Sequence, residues 1–324
     1  MKHISILVPE GAILASLEGT RQLFTTVNQF CEAKGVPPLL HVQLVGLTAH
    51  TNLAGGLFTA NPDVLMENIS KTDLIIIPAI DGDKEAAIQK NEKYIPWILA
   101  QYKAGSEVAS LCLGAFLLAA TGLLNGKQCA THWMAANEFR EMFPEVDLVT
   151  EKIVTDEQGI YSSGGAFSYT NLILYLIEKY AGREISILSA KVFAIEIERE
   201  SQSPFIIFAG QKSHQDVVIK EAQIYIEENL HEKISIEELA TKFSVGRRSF
   251  DRRFVKATGN TPIEYTQRVR IEAAKKSFET SSKNIKEVMY DTGYSDVKAF
   301  REVFRKITGL SPLEYRIKYN SANA

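Results

Sequence analysis

Short apolar runs alternate with longer mixed stretches along the first half of the chain. ISILV (4–8), HVQLVGL (41–47), DLIIIP (73–78) and EVASL (107–111) are rich in Ile, Val and Leu. Runs of that kind are expected of strands buried on both faces. The stretches between them carry apolar residues at helical spacing, so residues 1–180 predict a mostly parallel sheet covered by helices. Past Ile185 the only strand-like run is PFIIF (204–208), and residues 216–324 read as consecutive amphipathic helices. Breakers at Ser201, Ser203, Pro204 and Gly210 place a linker at 186–215, between a first domain, 1–185, and a second, 216–324.

Between Val108 and Gly126 no residue is charged. A spanning helix needs ~18 apolar residues or more, but Ser110, Cys112, Gly114, Thr121 and Gly122 interrupt this run. It reads as a buried strand turning into a buried helix. The start, MKHISILVPEG, is too short for a signal peptide. A cytoplasmic protein without a membrane partner is expected.

Composition adds little beyond exclusions. A length of 324 residues fits about two domains, and 45% hydrophobic with 23% charged residues excludes wholesale disorder. Cys31, Cys112 and Cys129 are too few for a disulfide framework and lack zinc-ligand spacing. No metal and no cofactor are expected.

Charge is uneven. The net −3 divides into −7 over residues 1–212 and +4 over 213–324, and residues 241–324 hold 18 basic and 9 acidic residues. A basic block on an acidic chain points to a polyanionic partner for that block.

That block is duplicated. A shift of 50 residues superposes Phe250, Phe254, Lys256, Thr258, Gly259, Pro262, Glu264 and Tyr265 on Phe300, Phe304, Lys306, Thr308, Gly309, Pro312, Glu314 and Tyr315. Gly259 and Gly309 stand where a helix stops in a left-handed conformation. Thr261–Glu264 and Ser311–Glu314 then form capping boxes with proline at the first helical position, and Ser235–Glu238 opens a helix in the same way. In the first copy a helix ending near Phe243, an SVG turn (244–246) and a helix from Arg247 to about Thr258 make a helix-turn-helix. NIKEVMYDT, GYS (293–295) and DVKAFREVFRKIT repeat it. Phe250, Phe254 and Ala257 form a core stripe, with Arg248, Arg252 and Lys256 on another face and Arg247 at the helix start. In the second copy Phe300, Phe304 and Ile307 face inward, while Lys298, Arg301 and Arg305 line an exposed face. Such helices fit a major groove, so double-stranded DNA is the expected partner and these seven cations are its expected contacts.

Residues 216–324, and GYSDVKAFREVFRKITGLSPLEYR (293–316) above all, resemble the DNA-binding domains of the AraC/XylS family. The resemblance implies two helix-turn-helix units joined by a long helix, here Pro262 to about Glu279. Its reading helices would be Arg247–Thr258 and Asp296–Thr308, entering groove segments ~34 Å apart. Gly246 stands where the family often has a serine cap.

In the first domain, Ser110-Leu111-Cys112-Leu113-Gly114 joins a strand to a helix as a nucleophile-type elbow, with His132 following at an expected strand end. A Cys/His pair is the minimum for nucleophilic catalysis, and an inert buried thiol is the alternative. The elbow, ATHW (130–133) and SSGGAFSYTNLILYLIEKYAG (162–182) resemble the ThiJ/PfpI superfamily. This implies a flavodoxin-like fold over about residues 3–182, related to class I glutamine amidotransferases. Cys112 falls on the family's elbow cysteine and His132 on its nearby histidine. Leu113 replaces the histidine of protease-like members. The tuning acid would fall near Ser16, with Glu18 displaced, and Pro78-Ala79-Ile80 stand where glycines shape an oxyanion turn. Asn171 replaces a commonly acidic residue.

The fold expected is therefore an α/β flavodoxin-like parallel-sheet domain followed by an all-α domain with two helix-turn-helix motifs. Their order resembles the GlxA type of transcriptional regulator. A homodimer is expected whose first domain senses a small molecule through Ser16, Ala79, Ile80, Cys112, Leu113 and His132, without catalysis. RNA polymerase is a further partner the architecture allows. The alternative is a cysteine-dependent hydrolase or glyoxalase-like enzyme acting through Cys112 and His132 and fused to a DNA-binding module. A redox sensor at Cys112 is compatible with the regulator.

Overall fold

Leu74, Ile75, Ile76 and Ile77 are all fully buried, because helices cover both faces of the sheet they occupy. The computed structural model describes residues 1–197 and 201–320 and divides into two units, Met1–Gln202 and Ser203–Ala324. In the first unit the order begins β1 (Lys2–Leu7), α1 (Leu14–Ala33), β2 (Leu40–Gly46), β3 (Thr51–Leu53), β4 (Phe58–Ala60), β5 (Val64–Leu65) and β6 (Leu74–Ile77). It continues with α2 (Lys84–Lys90), α3 (Tyr94–Lys103), β7 (Glu107–Leu111), α4 (Ala115–Ala120), β8 (Gln128–Cys129) and α5 (Ala136–Met142). Then come β9 (Asp147–Leu148), β10 (Val154–Glu157), β11 (Ile160–Ser163), α6 (Tyr169–Ala181) and α7 (Arg183–Val192).

Seven strands form one sheet in the order β10-β11-β7-β6-β1-β2-β5, parallel except where β10 pairs antiparallel with β11. Alternate residues point to opposite faces. Ile4, Ile6, Leu74 and Ile76 pack with Phe24 of α1 and Leu172 of α6, while Leu7, Ile75 and Ile77 pack with Tyr94, Phe116 and Phe139. The uncharged stretch from Val108 is β7, a tight turn over Cys112–Gly114 and the six-residue α4, all within this core. Among the described residues no helix is long and apolar enough to cross a membrane.

Two readings of the linker region change. Residues 186–197 continue the first unit, because Ser186, Ser189 and Ala190 of α7 are buried and Ser186 Oγ donates to the Leu174 carbonyl at 3.0 Å. Gln202 is buried too, donating through Nε2 to the carbonyls of Thr131 (3.0 Å) and Lys152 (3.3 Å). PFIIF is not a strand: Ser203–Phe205 form a 3₁₀ turn, since Pro204 lacks a ladder donor. Phe208 instead packs edge-on against Tyr265, with ring centroids 5.2 Å apart.

The second unit is α8 (Val217–Glu228), α9 (Ile236–Lys242), α10 (Arg247–Thr258), α11 (Pro262–Thr280), α12 (Ile285–Asp291), α13 (Val297–Thr308) and α14 (Pro312–Tyr319). It holds two small cores. Phe250, Phe254 and Tyr265 belong to one, and Phe278, Phe300, Phe304 and Tyr315 to the other. The duplication reaches ring geometry: Phe254 meets Tyr265 edge-on at 5.3 Å, as Phe304 meets Tyr315 at 5.5 Å. Gly259 and Gly309 end α10 and α13 with φ of 67° and 75°, a conformation that disfavours any side chain. Thr261 and Ser311 make full capping boxes, and so does Asn284. Ser235 caps α9 through the Glu238 N–H, with Glu237 rather than Glu238 bonded to its hydroxyl.

Candidate functional site

The elbow lies where β6 and β7 end side by side, next to the point at which the strand order reverses about β1. That crevice is where open α/β sheets bind ligands. Cys112 leaves β7 with a φ of 52°, a left-handed conformation for a residue with a side chain. Its N–H donates to Ser163 Oγ at 3.3 Å and its carbonyl accepts from Thr131 Oγ1 at 2.9 Å. Gly114 is required by close approach, because a Cβ there would fall 2.4 Å from the Pro78 carbonyl oxygen.

The electrostatics at the sulfur do not favour a nucleophile. Cys112 is 3% exposed, and burial pushes its thiol up to about 11 against the lowering effects of the Leu113 N–H and of Lys84. Lys84 itself is buried, donates through Nζ to the Gly82 carbonyl at 2.6 Å and lies 5.9 Å over the Phe116 ring. Where the tuning acid was expected, Ser16 Oγ donates to the Ile13 carbonyl (2.8 Å) and accepts from the Ala79 N–H (3.1 Å). Ser16 thereby engages an N–H of the turn that was a candidate oxyanion donor. Glu18 turns to Arg21 at 2.7 Å, which holds its carboxyl below the usual range. His132 caps the turn after it, Nδ1 accepting the Met134 N–H at 3.2 Å, and burial lowers its pKa. Among the described residues no hydrogen bond joins His132 to Cys112. Asn171 Nδ2 donates to the Glu196 carbonyl at 2.8 Å.

Ser16 and Ala79 are thus brought into contact, and Ile80 bridges to Ala12 beside them, all buried like Cys112. Leu113 and His132 are half-buried. Lys84 was missed; it sits at the start of α2 behind the Asp83 cap, and an isolated lysine on an otherwise apolar helix face was the available signal. Cys31 and Cys129 are buried and free, and burial raises the Cys129 thiol to about 12.

In the second unit, Arg248, Arg252, Lys256, Lys298, Arg301 and Arg305 are exposed. Lys298 approaches Glu302 only to 4.0 Å, in a solvated pair worth little. Arg247 differs. Its Nε donates to Asp251 at 2.8 Å and its Nη1 bonds Glu237, so two carboxylates hold it. Arg253 is likewise paired with Asp216.

The two turns are not identical. The Val245 N–H donates to Ala240 as the Tyr294 N–H donates to Met289, a shift of 49 residues, yet α10 and α13 start 50 apart. Ser295 is the additional residue. It lets Asp296 cap α13 by accepting the Ala299 N–H at 2.7 Å, where Gly246 caps α10 without a side chain. Ser244 takes the left-handed position that Gly293 takes in the second turn.

Residues 26–179 match the DJ-1/PfpI family and residues 239–318 a helix-turn-helix domain. The chain is similar to the HTH-type transcriptional regulator GbdR of Pseudomonas aeruginosa, 27% identical over 79% of this chain and 69% of that one. It is similar also to the HTH-type transcriptional regulator GlxA of Rhizobium meliloti, 24% identical over 68% of each. A ThiJ/PfpI family protein of Pseudomonas syringae superposes with a TM-score of 0.51 at 16% identity, over 75% of this chain and 87% of that one. A DJ-1 superfamily protein of Salmonella typhimurium superposes with a TM-score of 0.50 at 16% identity, over 60% and 100%. The two likenesses meet in one chain: a DJ-1/PfpI-family domain of flavodoxin-like fold is followed by a helix-turn-helix domain of the AraC type.

Proposed function

We propose that this chain is a sequence-specific transcriptional regulator that reads an operator in duplex DNA through α10 and α13. The observation that carries this reading is the duplicated helix-turn-helix with seven exposed cations on its reading helices, in a chain whose relatives are named as transcriptional regulators. The N-terminal domain senses a small molecule at the crevice around Cys112, and a homodimer matches a two-fold operator. Contact with RNA polymerase follows if the regulator activates, and the cytoplasm is where such an operator lies. A protonated thiol, a histidine bonded elsewhere and an N–H engaged by Ser16 support a binding role over hydrolysis.

The test is selection of duplex fragments by the purified full-length protein at near-physiological salt. A discrete motif with half-sites spaced by helical turns is expected. Binding without sequence preference would overturn the reading and return weight to an enzyme at Cys112.

A further inference from the structure

Turn by turn, the two helix-turn-helix copies are inverted in charge. Glu237, Arg247, Asp251 and Thr266 of the first copy correspond to Lys286, Val297, Arg301 and Arg316 of the second. In the first copy Arg247 fills the space between Glu237 and Asp251, and Thr266 Oγ1 donates to the Pro262 carbonyl. That position is neutralised from within.

In the second copy the central side chain is uncharged and the surrounding ones are cations. Lys286, Arg301 and Arg316 line, with Val297 and Met289, a cleft of about 350 Å³ whose wall contains no carboxylate. Among the described residues none of the three forms an ion pair, and Arg316 Nε is buried without a hydrogen-bond partner. Three cations gathered over Val297 and Met289 without a carboxylate in the lining repel one another, so the cleft is suited to an anion that the chain itself does not supply.

We propose that this cleft holds a phosphate anion, supplied by the backbone of a DNA duplex. Arg316 and Arg301 donate through their guanidinium groups, and Lys286 adds charge. The proposal rests on the DNA-binding reading and adds to it that the two copies divide the work. The second seats itself on the backbone beside α13, whereas the matching place beside α10 is closed by Arg247. A backbone clamp fixes register without reading sequence.

The experiment compares full-length wild type with Arg316→Gln and Arg316→Lys on a selected and a scrambled duplex, over a range of salt. Arg316→Gln should weaken both duplexes about tenfold and reduce the slope of log K against log salt by about one. Arg316→Lys should restore the slope without the full affinity. Unchanged affinity and slope in a glutamine variant that melts like wild type overturns the clamp. A loss confined to the selected duplex also overturns it, since Arg316 would then read a base. If wild type binds neither duplex, the DNA reading itself fails, and inorganic phosphate is titrated against the Arg316 Nε–H resonance. Movement there overturns the backbone as source in favour of free phosphate, and a stationary resonance overturns the site altogether.

Discussion

At Cys112 a left-handed backbone coincides with burial of an ionisable group. Such a conformation costs on the order of 1–2 kcal/mol outside glycine and is kept where the surroundings over-determine it, here by Ser163 and Thr131. With the thiol raised to about 11 from an ordinary 9, almost none of it is thiolate at neutral pH. Iodoacetamide should therefore label Cys112 in the native protein far more slowly than free cysteine, with a rate that climbs up to about pH 11. Equal rates at pH 7 would contradict the burial described. The linkage follows the same sign: the unfolded chain ionises first, so the stability given by the neutral thiol is present below pH 9 and declines above it. Cys112→Ala should leave folding and basal DNA binding intact while altering any response to an effector. On the reading helices, Arg252→Ala and Arg305→Ala should each weaken operator binding by about 1–3 kcal/mol if the residue reads a guanine. A phosphate contact would instead lower affinity on every sequence, and a titration over salt separates the two.

At the scale of elements, the two turns predict unequal responses to mutation. Asp296 caps α13 with a carboxylate, so Asp296→Ala should cost about 1 kcal/mol in a denaturant melt. Gly246 gives α10 no such cap. Ser244→Gly should stabilise the first copy by relieving its left-handed φ of 55°. Much of this level was legible beforehand. Capping boxes, terminal glycines and the phenylalanine stripes are local patterns with one physical solution each, and the apolar runs of a parallel sheet are equally direct. What escaped depends on contacts distant in sequence. Ser16 reaches Ala79, Gln202 reaches Thr131, and Lys84 acts on Cys112 only because β6 and β7 end together. The pairing of Arg247 with Glu237 and Asp251 was hidden for another reason. A shift of 50 residues aligns the second helices of each pair, and the first helices align only at 49.

Across the whole molecule, one polar cluster anchors the end of β7 opposite the elbow. Glu107 accepts from Tyr161 at 2.8 Å and from Lys179 and Tyr180. Burial alone would raise its carboxyl, but these donors outweigh it and hold it below the usual range. The stability it gives is present above pH 4.5, the ordinary value, and lost as pH falls through the lowered one. Thermal melts at descending pH should show that loss for the first unit, and Glu107→Gln should flatten it. The second unit depends on one shared rod. α11, 19 residues and so about 28 Å long, gives Tyr265 to one core and Ile271, Ala274 and Phe278 to the other. The consequence is one of phase. Each residue of an α-helix turns about 100°, so a single residue inserted between Val269 and Ile271 should rotate α13 by that angle relative to α10, break the Arg270 bonds to the Leu230 and Glu232 carbonyls and abolish operator binding in a titration. If α10 and α13 read DNA together, the pitch of a protein helix sets the spacing of bases that they can read.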